Sequence, residues 1–384
     1  MRIGRRAFLF GAPLSRGAWS AAAQAPDPPG SARRWTHPVY DFCGTPFEIG
    51  LEHGRALSRE IRAEADPAVA ALTRRLAAPA YQALARVVSK YEGLFREYVP
   101  DALEEIRGMA EGARLSYPYA FFAATRDLMR TPAREDACTA LAVSGKAAAA
   151  GGVLVGQTKD TSAPLDRYRI LRLAYASGRK MIVLNYPGWI ANLCLTSDGL
   201  TFTGNSLSAR GPAGDTAPGS LLKRLVMTKP SVQAVLEAIR GMRFENGCFL
   251  IGDRSGHVVC LECVAGFVDI RDVSGQAYGH ANSLLAPELK RYETAAAARS
   301  SSPLRQKNVE ALLRARSGAL TVDAMKAILR DHAGFPLSIC RHPSPDESGT
   351  TTAAFIADLR ETRMNIAIGN PCVAPFREYS LPAA

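Results

Sequence analysis

The stretch "DACTALAVSGKAAAAGGVLVGQTKD", residues 136–160, reads as two strands joined through glycines and small residues. "CTALAVSG" and "GGVLVGQTKD" are short apolar runs bounded by turn formers, the signature of a β-hairpin. The chain before it has a different period. From Pro46 to Met129, segments such as "PFEIGLEHGRALSREIRAEA", "YQALARVVSKYEGLFREYV" and "PDALEEIRGMAEGARL" repeat apolar residues at three- and four-residue spacing, which predicts helices. Gly50 and Gly54 fall on one helical face and leave room there for a close neighbour. After the hairpin, runs such as "KMIVLNYPG" and "CFLIGDRSGHVVCLECVAGFVDI" predict further strands. Short helices are expected near Leu221–Met227, Ser231–Ile239, Gln306–Arg314 and Val322–Leu329, and a last strand pair at "TAAFIADL" and "RMNIAIG". Helices gathered on one side of neighbouring strands point to an α+β layered fold with mainly antiparallel sheets. Cys138 stands where the helical half passes into the strand-rich half.

The 384 residues suffice for a large core, and 47% hydrophobic with 22% charged residues is an ordinary globular composition. Of the eleven net positive charges, four (Arg2, Arg5, Arg6, Arg16) lie in the first 25 residues, which hold no acid. The rest are dispersed, without a basic run interleaved with aromatics, so a nucleic-acid partner is not expected. No run approaches a membrane span, and stable membrane insertion is not expected either. The opening "MRIGRRAFLFGAPLSRGAWSAAAQAP" resembles a twin-arginine export signal over 1–25, with a cut after Ala23 suiting its small residues. A linker at 26–34 then precedes the mature domain, which would be periplasmic; without export it would be cytoplasmic.

Candidate chemistry is sparse. Ser220 and Lys223 form a Ser-x-x-Lys pair, but its companion motifs are missing, and Ser220 reads as a helix N-cap. Cys260 and Cys263 have the spacing of a redox or zinc pair. In a strand, however, residues three apart face opposite ways, so no metal or cofactor is expected there or elsewhere. Cys138 has no histidine nearby to take its proton. A chain solves this by cutting itself before the cysteine. The freed α-amine, with an ordinary pKa of about 7.7–8.0, then serves as the base for its own side chain. Such a site needs a carboxylate to orient the amine and donors for an oxyanion. Asp160, ending the second strand, is placed by the hairpin to return beside Cys138. A buried strand cysteine and a turn aspartate are the plain alternatives.

These residues resemble the acyl-coenzyme A:6-aminopenicillanic-acid acyltransferase-like family of self-processing cysteine amidohydrolases, which are N-terminal-nucleophile hydrolases. "GTPFEIGLEHGRAL" looks like its opening helix and "DACTALAVSG…GGVLVGQTKD" like its nucleophile hairpin. "GLTFTGNSL", "GHANSLL", "DHAGFPLSICRHP" and "IAIGNPC" look like later signatures in the family's order. The resemblance implies a four-layer αββα fold, with cleavage at Ala137–Cys138 into an α chain (35–137) and a β chain (138–384) that stay together. It implies Cys138 as nucleophile, Asp160 as the carboxylate holding its amine, Asn205 as oxyanion donor and Asn282 as the residue orienting the amine. Arg341 and Lys159 would face a small amide or acyl substrate, and His342 would be structural. Two departures stand out. Lys159 and Thr161 replace the aromatics often flanking the aspartate, and Cys248 stands where the family often has asparagine. A non-catalytic exported binding protein that keeps the fold is the alternative reading.

Overall fold

The computed structural model describes residues 37–125, 137–161, 165–210, 215–264, 266–344 and 349–383. The expected export signal, the linker and residues 126–136, immediately before Ala137, lie outside these.

After a first strand β1 (Val39–Gly44) come the helices α1 (Pro46–Leu76), α2 (Ala80–Tyr98), α3 (Pro100–Gly112) and α4 (Tyr117–Ala124). α1 starts on a capping box: Thr45 accepts from the Glu48 amide, and the Glu48 carboxylate accepts from the Thr45 amide at 2.7 Å. The glycine face is used as expected. A Cβ on Gly50 would lie 1.9 Å from the Glu105 carbonyl oxygen, and one on Gly108 would lie 1.9 Å from that of Phe47, so α1 and α3 cross backbone to backbone. Gly50→Ala is therefore expected to destabilise by the upper end of ~1–3 kcal/mol for overpacking. Gly93→Ala, where the added methyl meets nothing within 4 Å, should gain about 0.5–1 kcal/mol from helix propensity. Urea unfolding midpoints at constant m-value check the pair.

The remaining strands are β2 (Ala137–Ser144), β3 (Val153–Thr161), β4 (Arg169–Tyr175), β5 (Lys180–Asn185), β6 (Leu193–Thr196), β7 (Leu200–Phe202), β8 (Gly247–Asp253), β9 (Val258–Val264), β10 (Phe267–Asp272), β11 (Ala277–His280), β12 (Thr350–Asp358), β13 (Arg363–Ile368) and β14 (Arg377–Ser380). The interspersed helices are α5 (Gly219–Thr228), α6 (Val232–Ala238), α7 (Ala295–Arg299), α8 (Ser302–Ala315) and α9 (Val322–Leu329). Among the described residues the strands form two sheets, ordered β1-β4-β5-β6-β7-β8-β9-β10 and β11-β2-β3-β12-β13-β14. All pairings are antiparallel except β1 with β4.

Three apolar layers hold the stack together. One lies between α1–α6 and the eight-stranded sheet, one between the two sheets, and one between the six-stranded sheet and α8–α9. This is the four-layer αββα arrangement. Both sheets are covered on both faces, so β8 and β9 are buried along their whole length and read as continuous apolar runs. Cys260 belongs to the inter-sheet core and Cys263 to the helix-side core, so their sulfurs diverge as strand geometry requires. Ser220 departs from expectation: Pro218 holds the N-cap position of α5 and Ser220 lies inside the helix. Its buried hydroxyl has no hydrogen-bond partner among the described residues. β1 was not anticipated either, because its ladder partner β4 lies far along the chain.

Candidate active site

The register of β2 assembles the site. Ala137 stands opposite Asp160 and Cys138 opposite Lys159. On the other flank, His280 pairs with Ala140, so Asn282, two residues further along, arrives level with Cys138. The alternation of β2 places Cys138 with Ala140 and Ala142 on the inter-sheet face, whereas Leu141 and Val143 face α8 and α9. Cys138 is 1% exposed. The half-buried Lys159 shares its face, directly across the ladder.

Asn282 is the junction. Its Oδ1 accepts from the Cys138 amide at 2.9 Å and from Arg305 Nη2 at 2.8 Å. One hydrogen of its Nδ2 goes to the Ser206 carbonyl at 2.9 Å. Arg305, in the first turn of α8, is buried. Its Nη1 donates to the Cys138 carbonyl at 2.6 Å and to Thr139 Oγ1 at 2.9 Å, and its Nε donates to Ser301 Oγ at 3.1 Å. Amide nitrogen and carbonyl oxygen of Cys138 are thus both fixed by side chains from outside its strand. Nothing in "SSPLRQKNV" marks Arg305 from sequence; an arginine at that spacing reads as an ordinary helix surface charge.

Asp160 lies on the α8–α9 side of the sheet. Its Oδ1 accepts from Thr351 Oγ1 at 2.7 Å, and Thr351 Oγ1 accepts from the Arg341 amide at 2.8 Å. Its Oδ2 is buried and has no hydrogen-bond partner among the described residues. Burial pushes the carboxyl up to about 6, against the opposing pull of Arg305, the Thr351 hydroxyl, Arg341 and Lys159. Arg341 is itself only 3% exposed. The structure therefore sets it as a buried charge near Asp160 rather than at an open surface.

Asn205 is tied differently. Its Nδ2 donates to the carbonyls of His280 (2.8 Å) and Ala281 (2.7 Å), and its Oδ1 accepts from Gln157 Nε2 at 2.9 Å. The Gln157 amide also closes on the backbone of Gly204, accepting from its N–H at 3.0 Å and donating to its carbonyl at 2.8 Å. The main chain of Asn205 pairs with Cys248 in both directions at 2.8 Å, and Cys248 Sγ packs 3.7 Å from Cys260 Sγ. The cysteine substitution thus keeps the backbone bridge. Behind the Asn282 turn, His280 Nε2 meets Glu262 Oε1 at 2.6 Å, and the same carboxylate accepts from the Leu285 and Ala286 amides. Burial opposes the charge on His280, but Glu262 outweighs it and holds the imidazole above its usual value. This pair clamps the turn that presents Asn282.

The structure thus brings Cys138, Asp160, Asn205, Asn282 and Lys159 to one end of the six-stranded sheet, and adds Arg305, Gln157 and Thr351, which sequence reasoning missed. Three solved structures, of two proteins, show low overall similarity. The conjugated bile acid hydrolase from Clostridium perfringens, in two mutant forms, is 13% and 14% identical with TM-scores of 0.42 and 0.41. Each match covers 64% of this chain and 99% of the other. Penicillin V acylase from Agrobacterium tumefaciens is 10% identical with a TM-score of 0.36, covering 61% of this chain and 75% of the other. The sequence model of the acyl-coenzyme A:6-aminopenicillanic acid acyl-transferase family matches residues 151–372, more than half of the chain. The chain belongs to that family.

Proposed function

We propose that this protein is an exported, self-processing cysteine amidohydrolase or acyltransferase. Its β chain, 138–384, would be headed by the nucleophile Cys138, with the helical segment 35–137 remaining bound as the α chain. The observation that carries the reading is Asp160 Oδ2: a buried carboxylate oxygen without a partner among the described residues, beside the Ala137–Cys138 bond. Buried polar atoms are ordinarily satisfied, and an α-ammonium released at Cys138 would supply the missing donor.

Processing begins when the Cys138 thiol adds to the Ala137 carbonyl carbon. The C–N bond breaks, the nitrogen leaves as the α-amine, and a thioester joins Ala137 to the sulfur. Water hydrolyses it, leaving a carboxylate on Ala137 and a thiol on Cys138. In the mature enzyme the α-amine takes the thiol proton and the thiolate attacks a linear amide or thioester carbonyl. The same amine returns the proton to the leaving group. Water then resolves the acyl-Cys138 thioester, or an amine acceptor does so where water is excluded.

Asp160 and Asn282 hold the amine, and Arg305 fixes the strand. The second Nδ2 hydrogen of Asn282 is a ready oxyanion donor. Asn205 would serve the oxyanion only by releasing one of its two carbonyls, and otherwise braces the turn bearing Asn282. Lys159, on the face of Cys138, suits a carboxylate-bearing substrate. Arg341 would reinforce that preference from behind Asp160. Among the described residues no helix is long and apolar enough to cross a membrane.

Intact-mass analysis and N-terminal sequencing of the purified wild type test the reading. Two co-purifying polypeptides are expected, the second beginning Cys-Thr-Ala-Leu, with hydrolysis of at least one panel member among N-acyl amino acids, acyl-homoserine lactones, penicillins and short peptides. A folded wild type that stays a single chain would overturn it, because the base would not exist.

A further inference from the structure

Away from Cys138, four donor side chains converge beside the last strands. His332, Cys340, His342 and Cys372 each offer a ligand atom, and these atoms all lie within 4.8 Å of one another. His332 Nε2 is 3.1 Å from His342 Nε2, which in turn is 3.5 Å from Cys372 Sγ and 3.7 Å from Cys340 Sγ. A tetrahedral zinc ion with Zn–N near 2.0–2.1 Å and Zn–S near 2.3 Å spaces its ligands about 3.3–3.4 Å apart for N···N and about 3.6 Å for N···S. The three observed edges match those values to within about 0.3 Å.

We propose that His332, Cys340, His342 and Cys372 form a structural Cys2His2 zinc site. Two thiolates and two imidazoles in a tetrahedral array select zinc over harder cations, and four protein ligands leave no open position for catalysis. The surroundings suit the role. Asn370 Nδ2 lies 4.0 Å from Cys340 Sγ and donates to the Arg341 carbonyl at 2.7 Å. The Cys340 amide donates to the Asp331 carbonyl and the His342 amide to that of Pro336, which fixes the ligand loop. The Phe335 ring packs against both imidazoles. The ion would join the 331–342 loop to the turn after β13, and Arg341, held between two ligands, would thereby be positioned near Asp160. The four ligands are scattered over residues 332–372 and match no compact zinc spacing, which is why the sequence did not disclose them.

Zinc content of the untagged full chain, grown with zinc, is the first measurement; about one ion per folded chain is expected. Protein produced in cobalt-supplemented medium should carry the intense visible bands of tetrahedral Co(II) with sulfur-to-cobalt charge transfer. Cys372→Ser and His332→Ala should lose those bands. Cys260→Ala, which removes a donor from the separate buried cluster of Cys248, Cys260 and His280, should keep them. Three results would overturn the proposal: a folded wild type with less than about a tenth of an ion per chain and no cobalt spectrum, a Cys340–Cys372 disulfide in the intact mass, or bands that vanish in Cys260→Ala and survive in Cys372→Ser. The wild-type measurements stand even if a variant fails to fold.

Discussion

Cys138→Ala is expected to give a single uncut chain with amide hydrolysis reduced by a factor on the order of 10⁴–10⁶, the scale on which removing a nucleophile acts. Both losses have one cause. The sulfur that would attack the Ala137 carbonyl is the sulfur that would attack substrate, and without the cut the α-amine remains an amide with no basicity. Folding is a separate matter. The substitution removes one buried sulfur from the edge of the inter-sheet core, at a cost of about 1 kcal/mol. The neighbouring bonds from Arg305 to the Cys138 carbonyl and from the Cys138 amide to Asn282 are backbone contacts that alanine keeps. The variant should therefore remain folded, with a near-wild-type circular dichroism spectrum. Cys138→Ser should fall between: a hydroxyl is a poor nucleophile at its own pKa, so slow cutting and weak turnover are expected. Wild-type hydrolysis in a folded Cys138→Ala protein would remove Cys138 from the chemistry.

The hairpin that carries this prediction was legible in the sequence because both its arms announce themselves. The turn formers bound two runs of strand length, and an antiparallel pair then has only a few registers open to it. One of them sets Ala137 against Asp160. A close neighbour at Gly50 and Gly54 was legible for a similar reason, since the two glycines leave a groove on one helical face, but that α3 fills it was not. Long-range partners were not legible. β1 is a short edge strand whose neighbour is β4, more than a hundred residues on. Arg305 looks like a helix surface charge until α8 is laid over β2. Asn205 was expected to point its amide at an oxyanion, but the turn at His280 and Ala281, brought in from the other end of a ladder, takes both its hydrogens. Local pattern specifies elements and faces; it does not specify which loop ends meet.

Asp160→Asn separates the two halves of the proposed mechanism through pH. The folded carboxyl is raised to about 6, against about 3.9 for an unfolded aspartate. Between those values the folded chain holds a proton that the unfolded chain has lost, so stability falls as pH rises from about 4 to about 6 and is flat above. The two-unit difference amounts to roughly 3 kcal/mol. In uncut protein, Cys138→Ala, unfolding free energies should show this fall once other titrations are removed by subtracting the same curve for Cys138→Ala with Asp160→Asn, which has no carboxyl to titrate. The cut protein should behave differently. An ammonium at Cys138 beside Asp160 Oδ2 favours the carboxylate, lowers its pKa and shifts the fall to lower pH or abolishes it. In the otherwise wild-type chain, Asp160→Asn leaves the amine without its anchor, and cutting and turnover should each drop by about 10²–10⁴, while the Thr351 contact survives on the amide oxygen. If cut and uncut proteins showed the same pH curve, the amine would not lie beside Asp160. The carboxylate would then be a buried structural acid whose vacant oxygen has another explanation.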